Sequence, residues 1–568
     1  VVSDPDPQFI EGIARGLGID PVVAALLVNR GVTDTHDARK FLEPSWDGLH
    51  DPWLLPDVDK AVARLAQAIA DGERIFVHGD YDADGVTSAA LCQRALLALG
   101  ADVVGHVPHR GDGYDLQVAG VERALEEGAS LIITSDCGVC AIEAVEHAND
   151  LGIDVIVTDH HRPGPTLPPA VAVVNPYRSD SRAPFRDLCG AGVAFKVFDA
   201  LYATVRPDLR DAFRRNLVDL AALGTIADVT SLVGENRILV ALGLAGLAAP
   251  RKKGLMALLM ALGLNETLRA EDVAFRIGPT LNAAGRMDDA SIAYRLLTTR
   301  DTDEAETLVG ELTELNRRRR EESERILTEA SVEMLHPENT DRRILVLAGP
   351  RWGKGLVGPA ASRIAELARR PAILLAFDAE TDTYTGSGRS WGDFNLLDAL
   401  HECKDLLGRY GGHHASAGVS IPSENLEAFR DRIHAVAEGR VPDTPEPQRL
   451  LIDAEIADGK VVNRALTEAI GMLEPYGRGN EAPVFLTRGV VLVDAKAVGK
   501  DLNTAQFQFR LPGTTAVLKG IKFKSGDWVG RYPNGTRLDI AYRPKANEFR
   551  GNVSIDLHIE DWRLSPSG

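Results

Sequence analysis

The sequence predicts an α/β protein: two α/β lobes joined by a long helix, with a small β-barrel after them. Three observations carry that reading. Short β-rich runs alternate with helical stretches from residue 74 to about 174 and again from 343, the rhythm of βαβ units around parallel strands. Between these regions lies "DTDEAETLVGELTELNRRRREESERILTEASVEM", within 301–335. It is a helical segment with few apolar positions that would span about 50 Å. Beyond residue 449, Ile555, Leu557 and Ile559 alternate with polar neighbours, as half-buried strands do.

Taken in order, residues 1–50 read as a helical extension. A helix near 58–71 then leads into a domain over 51–300. Its strand runs are "RIFVHGD" (74–80), "DVVGHVP" (102–108), "LIITSD" (131–136), "IDVIVTD" (153–159) and "VAVVNP" (171–176), with helices following near 191–204 and 212–227. The connecting helix covers 301–335, and a second lobe over 336–440 contains "RILVLAG" and "AILLAF". A Pro-rich linker spans 441–448, and a barrel spans 449–568. The 568 residues suffice for about three or four domains. No apolar run approaches the roughly 20 residues of a membrane span, and no signal-peptide pattern opens the chain. Five scattered cysteines argue against a disulfide framework and for the cytoplasm. The net charge of −19 excludes a generally basic nucleic-acid coat but not a local basic channel.

The first strand runs directly into "HGDYDADG", which packs His78, Asp80, Asp82 and Asp84 into seven positions. A turn needs one Asp or Gly. Three carboxylates and an imidazole in a small volume repel unless something positive sits among them. Later elements repeat the pattern: "LIITSDCG" delivers Asp136, "VIVTDHH" delivers Asp159, His160 and His161, and "GTIADVT" presents Asp228 near a helix end. A lone Asp at a strand end is ordinarily a helix cap, and a His pair a surface feature; four coincidences on successive elements are not. Ligands of open parallel sheets collect at the carboxyl ends of the strands. Imidazole mixed with carboxylates suits Mn²⁺, with Mg²⁺ or Zn²⁺ as alternatives. Two ions sharing a bridging carboxylate would account for the acids.

These motifs, with "RYGGHHASAG" (409–418), resemble the DHH phosphoesterase superfamily and its companion DHHA1-type domain. Within it, "LLVNRGVTDTHDARKFLEP", "PHRGDGYDL", "IGPTLNAAGRM" and "WGKGLVGPAASRI" are similar to the bacterial single-strand-specific 5′→3′ DNA exonucleases, and the final barrel resembles an OB-fold. The resemblance implies that His78, Asp82 and Asp136 hold one metal. Asp84, Asp136, His160 and Asp228 would hold the other, with Asp136 bridging. Asp80 and Asp159 would orient ligands, and His161 would face the substrate phosphate. In the second lobe, Gly411 and Gly412 would let backbone amides approach a phosphate, beside His413 or His414. Ser387 and Arg389 of "GSGRS", with Arg110 and Arg286, are candidate anchors for a terminal 5′-phosphate. Gly353 stands where family members often carry His, and Pro359 interrupts a usually apolar run.

The other signals are blander. Cys137 and Cys140 have CxxC spacing without a second pair, so neither a redox nor a zinc site is expected. "RRRR" (317–320) lies among glutamates and reads as a solvated face, or as the lining of a channel between lobes. In the barrel, Phe507 and Phe509 with Lys522 and Lys524 are placed to stack and grip single-stranded bases, although core packing explains the phenylalanines equally well. The resemblance implies two-metal hydrolysis of single-stranded DNA from a 5′-phosphate, releasing 5′-mononucleotides in DNA repair and recombination. It further implies a monomer working with a helicase or single-strand-binding protein. Alternatives are a small-substrate phosphodiesterase or pyrophosphatase on the same metal site, or a DNA-binding scaffold without activity. The length counts against the first, and the full set of acids against the second.

Overall fold

The computed structural model describes residues 1–264, 267–442, 449–499, 501–549 and 552–566. From 443 on, the expected linker lies outside the described residues.

The first lobe is built on a five-stranded, all-parallel sheet of order β2-β1-β3-β4-β5. Its strands are β1 (Arg74–Gly79), β2 (Asp102–His106), β3 (Leu131–Ser135), β4 (Asp154–Thr158) and β5 (Ala172–Val174). Side chains alternate across the sheet. Ile75, Val77 and Ile133 enter one buried cluster, whereas Phe76, Ile132 and Val155 enter another on the opposite face. Helices cover both faces, which is why the strands read as near-continuous apolar runs. The strand order reverses at β1, opening a crevice at the carboxyl ends of β1 and β3.

The long helix, Thr302–Met334, starts where Asp301 accepts a hydrogen bond from the Glu304 amide. Its sparse apolar residues divide between two cores. Ala305, Leu308 and Leu312 pack into the first lobe, and Ile326 and Ala330 into the second. The second lobe is a mixed sheet of order β6-β7-β8-β10-β9, from β6 (Leu345–Gly349), β7 (Ala372–Asp378), β8 (Thr383–Arg389), β9 (Arg409–Gly412) and β10 (Ser416–Pro422). Trp352 donates to Glu329 on the long helix at 2.7 Å and is buried there, so it anchors the lobe.

The C-terminal region begins with a short strand, β11 (Ala454–Glu455). Strands β12 (Phe485–Val498), β13 (Thr504–Arg510), β14 (Val517–Lys522), β15 (Arg537–Phe549) and β16 (Asn552–Leu564) then form a barrel, closed by the β12–β15 pairing, with β14 and β16 parallel. Phe507 and Phe509 are fully buried in its core beside Phe485 and Tyr542. The base-stacking role given to them is therefore corrected: their face points inward. Lys522 donates to the Ile559 and Glu560 carbonyls and lies over the Trp528 ring, and Lys524 falls past the strand end. Phe523, 60% exposed and edge-on to His558, is the aromatic that this face presents.

The N-terminal extension forms three helices, Pro7–Leu17, Pro21–Asn29 and Thr35–Leu42, capped by Asp6, Asp20 and Asp34. Their apolar faces (Ile13, Val23, Leu26, Leu27) join Leu466, Ile470 and Leu473 of the barrel region. Arg237 of the first lobe closes the seam, donating to the carbonyls of Phe41, Leu473 and Glu474.

Candidate active site

The carboxyl end of β1 turns sharply into the helix Ala83–Ala98. Gly85 makes the turn possible, since a Cβ there would stand 2.4 Å from the Asp80 carbonyl. Asp82 caps that helix, accepting from the amides of Asp84 and Gly85 at 2.9 and 3.1 Å. Asp84, in the first turn, is buried and accepts from the amides of Gly190 and Ala191 at 2.6 and 2.9 Å, at the start of helix Gly190–Val205. The positive end of that helix favours the carboxylate. Glycine is required at both close approaches: a Cβ at Gly190 would lie 2.4 Å from Asp136 Cβ, and one at Gly224 2.4 Å from Asp84 Oδ1. Asp136 follows β3 with φ of 65°, a conformation Asp tolerates better than most residues.

Asp159 follows β4 and organises the histidine pair. Its Oδ1 accepts from the His160 amide (2.7 Å), the His161 amide (3.0 Å) and His161 Nδ1 (2.8 Å), while Oδ2 accepts from the Val139 amide (3.0 Å). His160 Nε2 lies 3.0 Å from Asp136 Oδ1 and 3.9 Å from both Asp84 Oδ2 and Asp228 Oδ2. Ligand atoms gather within 4.8 Å in three overlapping sets: Asp80, Asp82 and Asp136; Asp84, His160 and Asp228; and Asp136, His160 and His161. Asp136 is common to the first and third, and His160 to the second and third.

Asp80, read as an orienting residue, stands inside the first set, whereas His78 stands outside all three. His78 is buried beside His106 with neither ring nitrogen hydrogen-bonded, and Asp136 Oδ1 is likewise without a hydrogen bond. Buried polar atoms left open in this way fit a metal coordinated from their side.

The electrostatics point the same way. Burial and the Asp82 charge push Asp80 up to about 8, and burial with Asp84 and Asp82 does the same for Asp228. Asp136 is raised well above the carboxylate range by burial and by Asp84, Asp82, Asp80 and Asp228. Burial holds His78 down at about 3. Burial also opposes protonation of His161, but its hydrogen bond to Asp159 and that residue's charge prevail, raising it to about 9. Carboxylates so placed cannot all ionise without cations among them.

Sequence reasoning missed Tyr114, whose hydroxyl stands 2.9 and 3.0 Å from the two ring nitrogens of His161, and Asp115, which accepts from the Gly138 amide beside Asp136. Both lie in "RGDGYDL", read only for Arg110. Cys137 is buried and Cys140 exposed, and all five cysteines are free.

Across the cleft, four arginines converge. Arg110 lies over the Tyr81 ring and donates to the Gly285 carbonyl. Arg286 donates to the Gly355 carbonyl of the second lobe at 2.9 Å. Burial and the charges of Arg110, Arg319 and Arg389 lower Arg286 to about 10, against the pull of Asp82. Arg389 donates to Ser387 Oγ at 2.6 Å and to the Gly388 carbonyl. Arg319 comes from "RRRR", which divides: Arg317 pairs with Glu314 and Glu321 in solvent, whereas Arg319 turns inward. Among the described residues none of these four has an ion-pair partner. Gly411, Gly412, His413 and His414 stay exposed on β9 and its turn, and their hydrogen bonds remain within the second lobe.

The DHH family N-terminal domain matches residues 74–225, the DHHA1 domain 341–439 and the RecJ OB domain 452–561. The single-stranded-DNA-specific exonuclease RecJ of Salmonella typhimurium is 37% identical, over 96% of this chain and 96% of its own. That of Bacillus subtilis is 34% identical, over 99% of this chain and 70% of its own. The crystal structure of RecJ from Thermus thermophilus in complex with Mn²⁺ superposes with a TM-score of 0.84 at 34% identity. It covers 100% of this chain and 79% of that one. Its Mg²⁺ complex gives 0.79 at 32% identity, over 100% and 78%. A carboxylate–histidine cage at the switch of a parallel sheet, a second lobe, a barrel and this likeness along the whole chain place the protein in the RecJ family.

Proposed function

We propose that the protein is a single-stranded-DNA-specific exonuclease that works 5′→3′ with two divalent ions, Mn²⁺ or Mg²⁺, and releases 5′-mononucleotides. The observation that carries the reading is the facing of two opposite charge sets. A carboxylate–histidine cage on the first lobe looks across at four arginines without carboxylate partners, contributed by both lobes and the long helix.

Asp80, Asp82 and Asp136 would hold one ion, with His78 turning to join them, and Asp84, Asp136, His160 and Asp228 the other. When bound, the ions would supply an activated water and stabilise the departing oxygen. The protein's own groups do the positioning. Asp159 holds His161 by its Nδ1, with the Tyr114 hydroxyl beside Nε2, so that the ring, cationic at neutral pH, would face a non-bridging phosphate oxygen. Arg389, Ser387, Arg286, Arg110 and Arg319 would take the terminal 5′-phosphate, so that the next phosphate falls to the carboxylates and the leaving group is a 3′-oxygen. Gly411, Gly412, His413 and His414 would reach the scissile group from the second lobe.

Single-strand preference follows from how close the lobes lie: a Cβ at Gly355 would stand 2.6 Å from the Arg286 carbonyl. A groove of ≈ 650 Å³ leaves from Val229 between the first lobe and the barrel, lined by Phe275, Arg478, Arg543, Lys545 and His558. It offers the downstream strand the exposed Phe275 and the Arg478 guanidinium, while Arg543 and Lys545 are paired with Glu560 and Glu271. The cleft is complete within one chain, which favours action as a monomer, supplied with single strands by a helicase or single-strand-binding protein. Among the described residues no helix is long and apolar enough to cross a membrane. The free cysteines favour the cytoplasm.

Incubation with Mn²⁺ and end-labelled single strands tests the reading. A 5′-label should appear at once as mononucleotide, while a 3′-labelled strand shortens stepwise and a blocked 3′-end changes nothing. Early release of the 3′-label would overturn it.

A further inference from the structure

We propose that the hairpin Gly477–Asn480, in the barrel region, clamps the strained turn that follows Asp228, and that Arg478 is thereby a positioning residue for a metal ligand. The proposal rests on the reading of Asp228 as a ligand.

Asp228 closes the helix Arg210–Ala227, and the next residue, Val229, has φ of 60°. A β-branched residue in the left-handed region persists only where its surroundings over-determine it. Val229 is 61% exposed, so packing of its own side chain is not the restraint. The restraint comes from the chain around it. The Leu232 amide donates to the Arg478 carbonyl at 2.7 Å, and Arg478 Nη1 donates back to the Val229 carbonyl at 3.3 Å. Gly477 leaves room for Leu232: a Cβ there would stand 2.6 Å from Leu232 Cδ1.

The hairpin is itself firmly held. Gly477 and Asn480 exchange backbone hydrogen bonds of 3.0 and 3.1 Å. The buried Asn480 amide donates to the Leu473 and Pro475 carbonyls and accepts from Arg30 Nε at 2.7 Å. On the other side, Asp187 of the first lobe accepts from the Ser231 amide at 3.2 Å and from its hydroxyl. The turn after Asp228 is thus gripped between the lobe that owns it and a hairpin some 250 residues away. The C-terminal region sets the geometry of the metal site as well as handling the strand.

The test is calorimetric titration of the metal-free, full-length protein with Mn²⁺ in the absence of DNA. Arg478→Ala removes an exposed side chain, and Gly477→Val wedges the hairpin from Leu232. Each should weaken one of the two Mn²⁺ sites by about tenfold, the factor that one residue's left-handed strain represents, and leave the other unchanged. Val229→Gly takes the same backbone conformation freely, so adding it to either variant should restore the weakened site. Arg478→Ala binding both ions like wild type, or Val229→Gly failing to restore binding in variants that melt normally, would overturn the clamp. Asp228→Asn binding both ions like wild type would instead remove Asp228 from the ligands, and the clamp with it.

Discussion

Replacing Arg389 with alanine should sharply weaken the preference for a 5′-phosphorylated strand over its 5′-hydroxyl twin. Arg389 Nη1 is engaged with Ser387 Oγ and the Gly388 carbonyl, so the remaining guanidinium donors are free for a ligand. Burial lowers its pKa, the direction expected of a cation kept from water without a carboxylate beside it. A terminal phosphate carries nearly two charges at neutral pH, an internal phosphodiester one. Each charge-assisted hydrogen bond contributes about 1.5–3 kcal/mol, and about 1.4 kcal/mol corresponds to tenfold. Arg110, Arg286 and Arg319 remain in the variant, so a single contact is lost and the effect should be about tenfold or somewhat more. The assay compares kcat/KM on 5′-phosphate and 5′-hydroxyl strands with the 3′-end blocked. Wild type should favour the phosphate, and the variant should lose about tenfold of that preference. Wild-type indifference to the 5′ group, or a variant that keeps the full preference, would place the anchor elsewhere.

Asp136→Ala should abolish hydrolysis while single-strand binding in EDTA persists, and a tenth of wild-type activity would refute the bridging carboxylate. Metal-free protein should lose thermal stability as pH rises from about 4 to about 9. Asp80 and Asp228, raised to about 8 from an ordinary carboxylate value near 4, keep protons in the fold that the unfolded chain has released, so their stabilisation is complete below about pH 4 and lost steadily up to about 8. His161, raised to about 9, acts in the same direction, and Mn²⁺ should remove the decline in melting temperature. Phe507→Ala should cost about 3–5 kcal/mol of stability as a core truncation. Phe523→Ala, at a 60% exposed position, should leave melting unchanged and weaken single-strand affinity, as filter binding would show.

Much of this architecture is legible in one sequence because local chemistry writes it. Most of the candidate metal-binding acids follow an apolar run that is a strand, and the long helix shows its narrow stripe at Ala305, Leu308 and Leu312. What was illegible is non-local. Alternation shows that Phe507 and Phe509 share a face but not which face of a closed barrel points inward. Asp80 and His78 sit two residues apart at one strand end, and only the fold shows that Asp80 stands within reach of Asp136 while His78 is buried with both ring nitrogens open. Tyr114, Asp115 and Asp187 lie in loops with no periodicity. The N-terminal helices look like a preface to the first lobe because they precede it, yet Ile13 and Leu27 pack against Leu466 and Leu473. Removing the residues beyond 449 would therefore uncover that apolar face and release the Val229 turn. Such a truncation does not separate strand grip from chemistry.

The site is consequently shared among three parts of the chain, and the sharing bears on why cleavage would start at an end. The first lobe supplies every carboxylate, but a carboxylate–metal cage alone does not distinguish a terminal from an internal phosphate. The distinction needs cations at a fixed distance from the cage, and they come from several elements: Arg389 from β8, Arg319 from the long helix, and Arg286 from a helix whose guanidinium is tied to Gly355. Because Arg286 joins the lobes and faces Asp82 as well, its hydrogen bond to Gly355, together with the long helix packed into both cores, holds the anchor beside the cage. Under the proposed reading, the spacing between two successive phosphates is therefore built into the lobe junction. A strand that continues past the arginines offers them an internal phosphate with one charge, where a strand that ends there offers nearly two. Partly buried guanidinium groups without carboxylate partners gain most from the second charge, so the terminal register is the one in which the next phosphate is held at the cage.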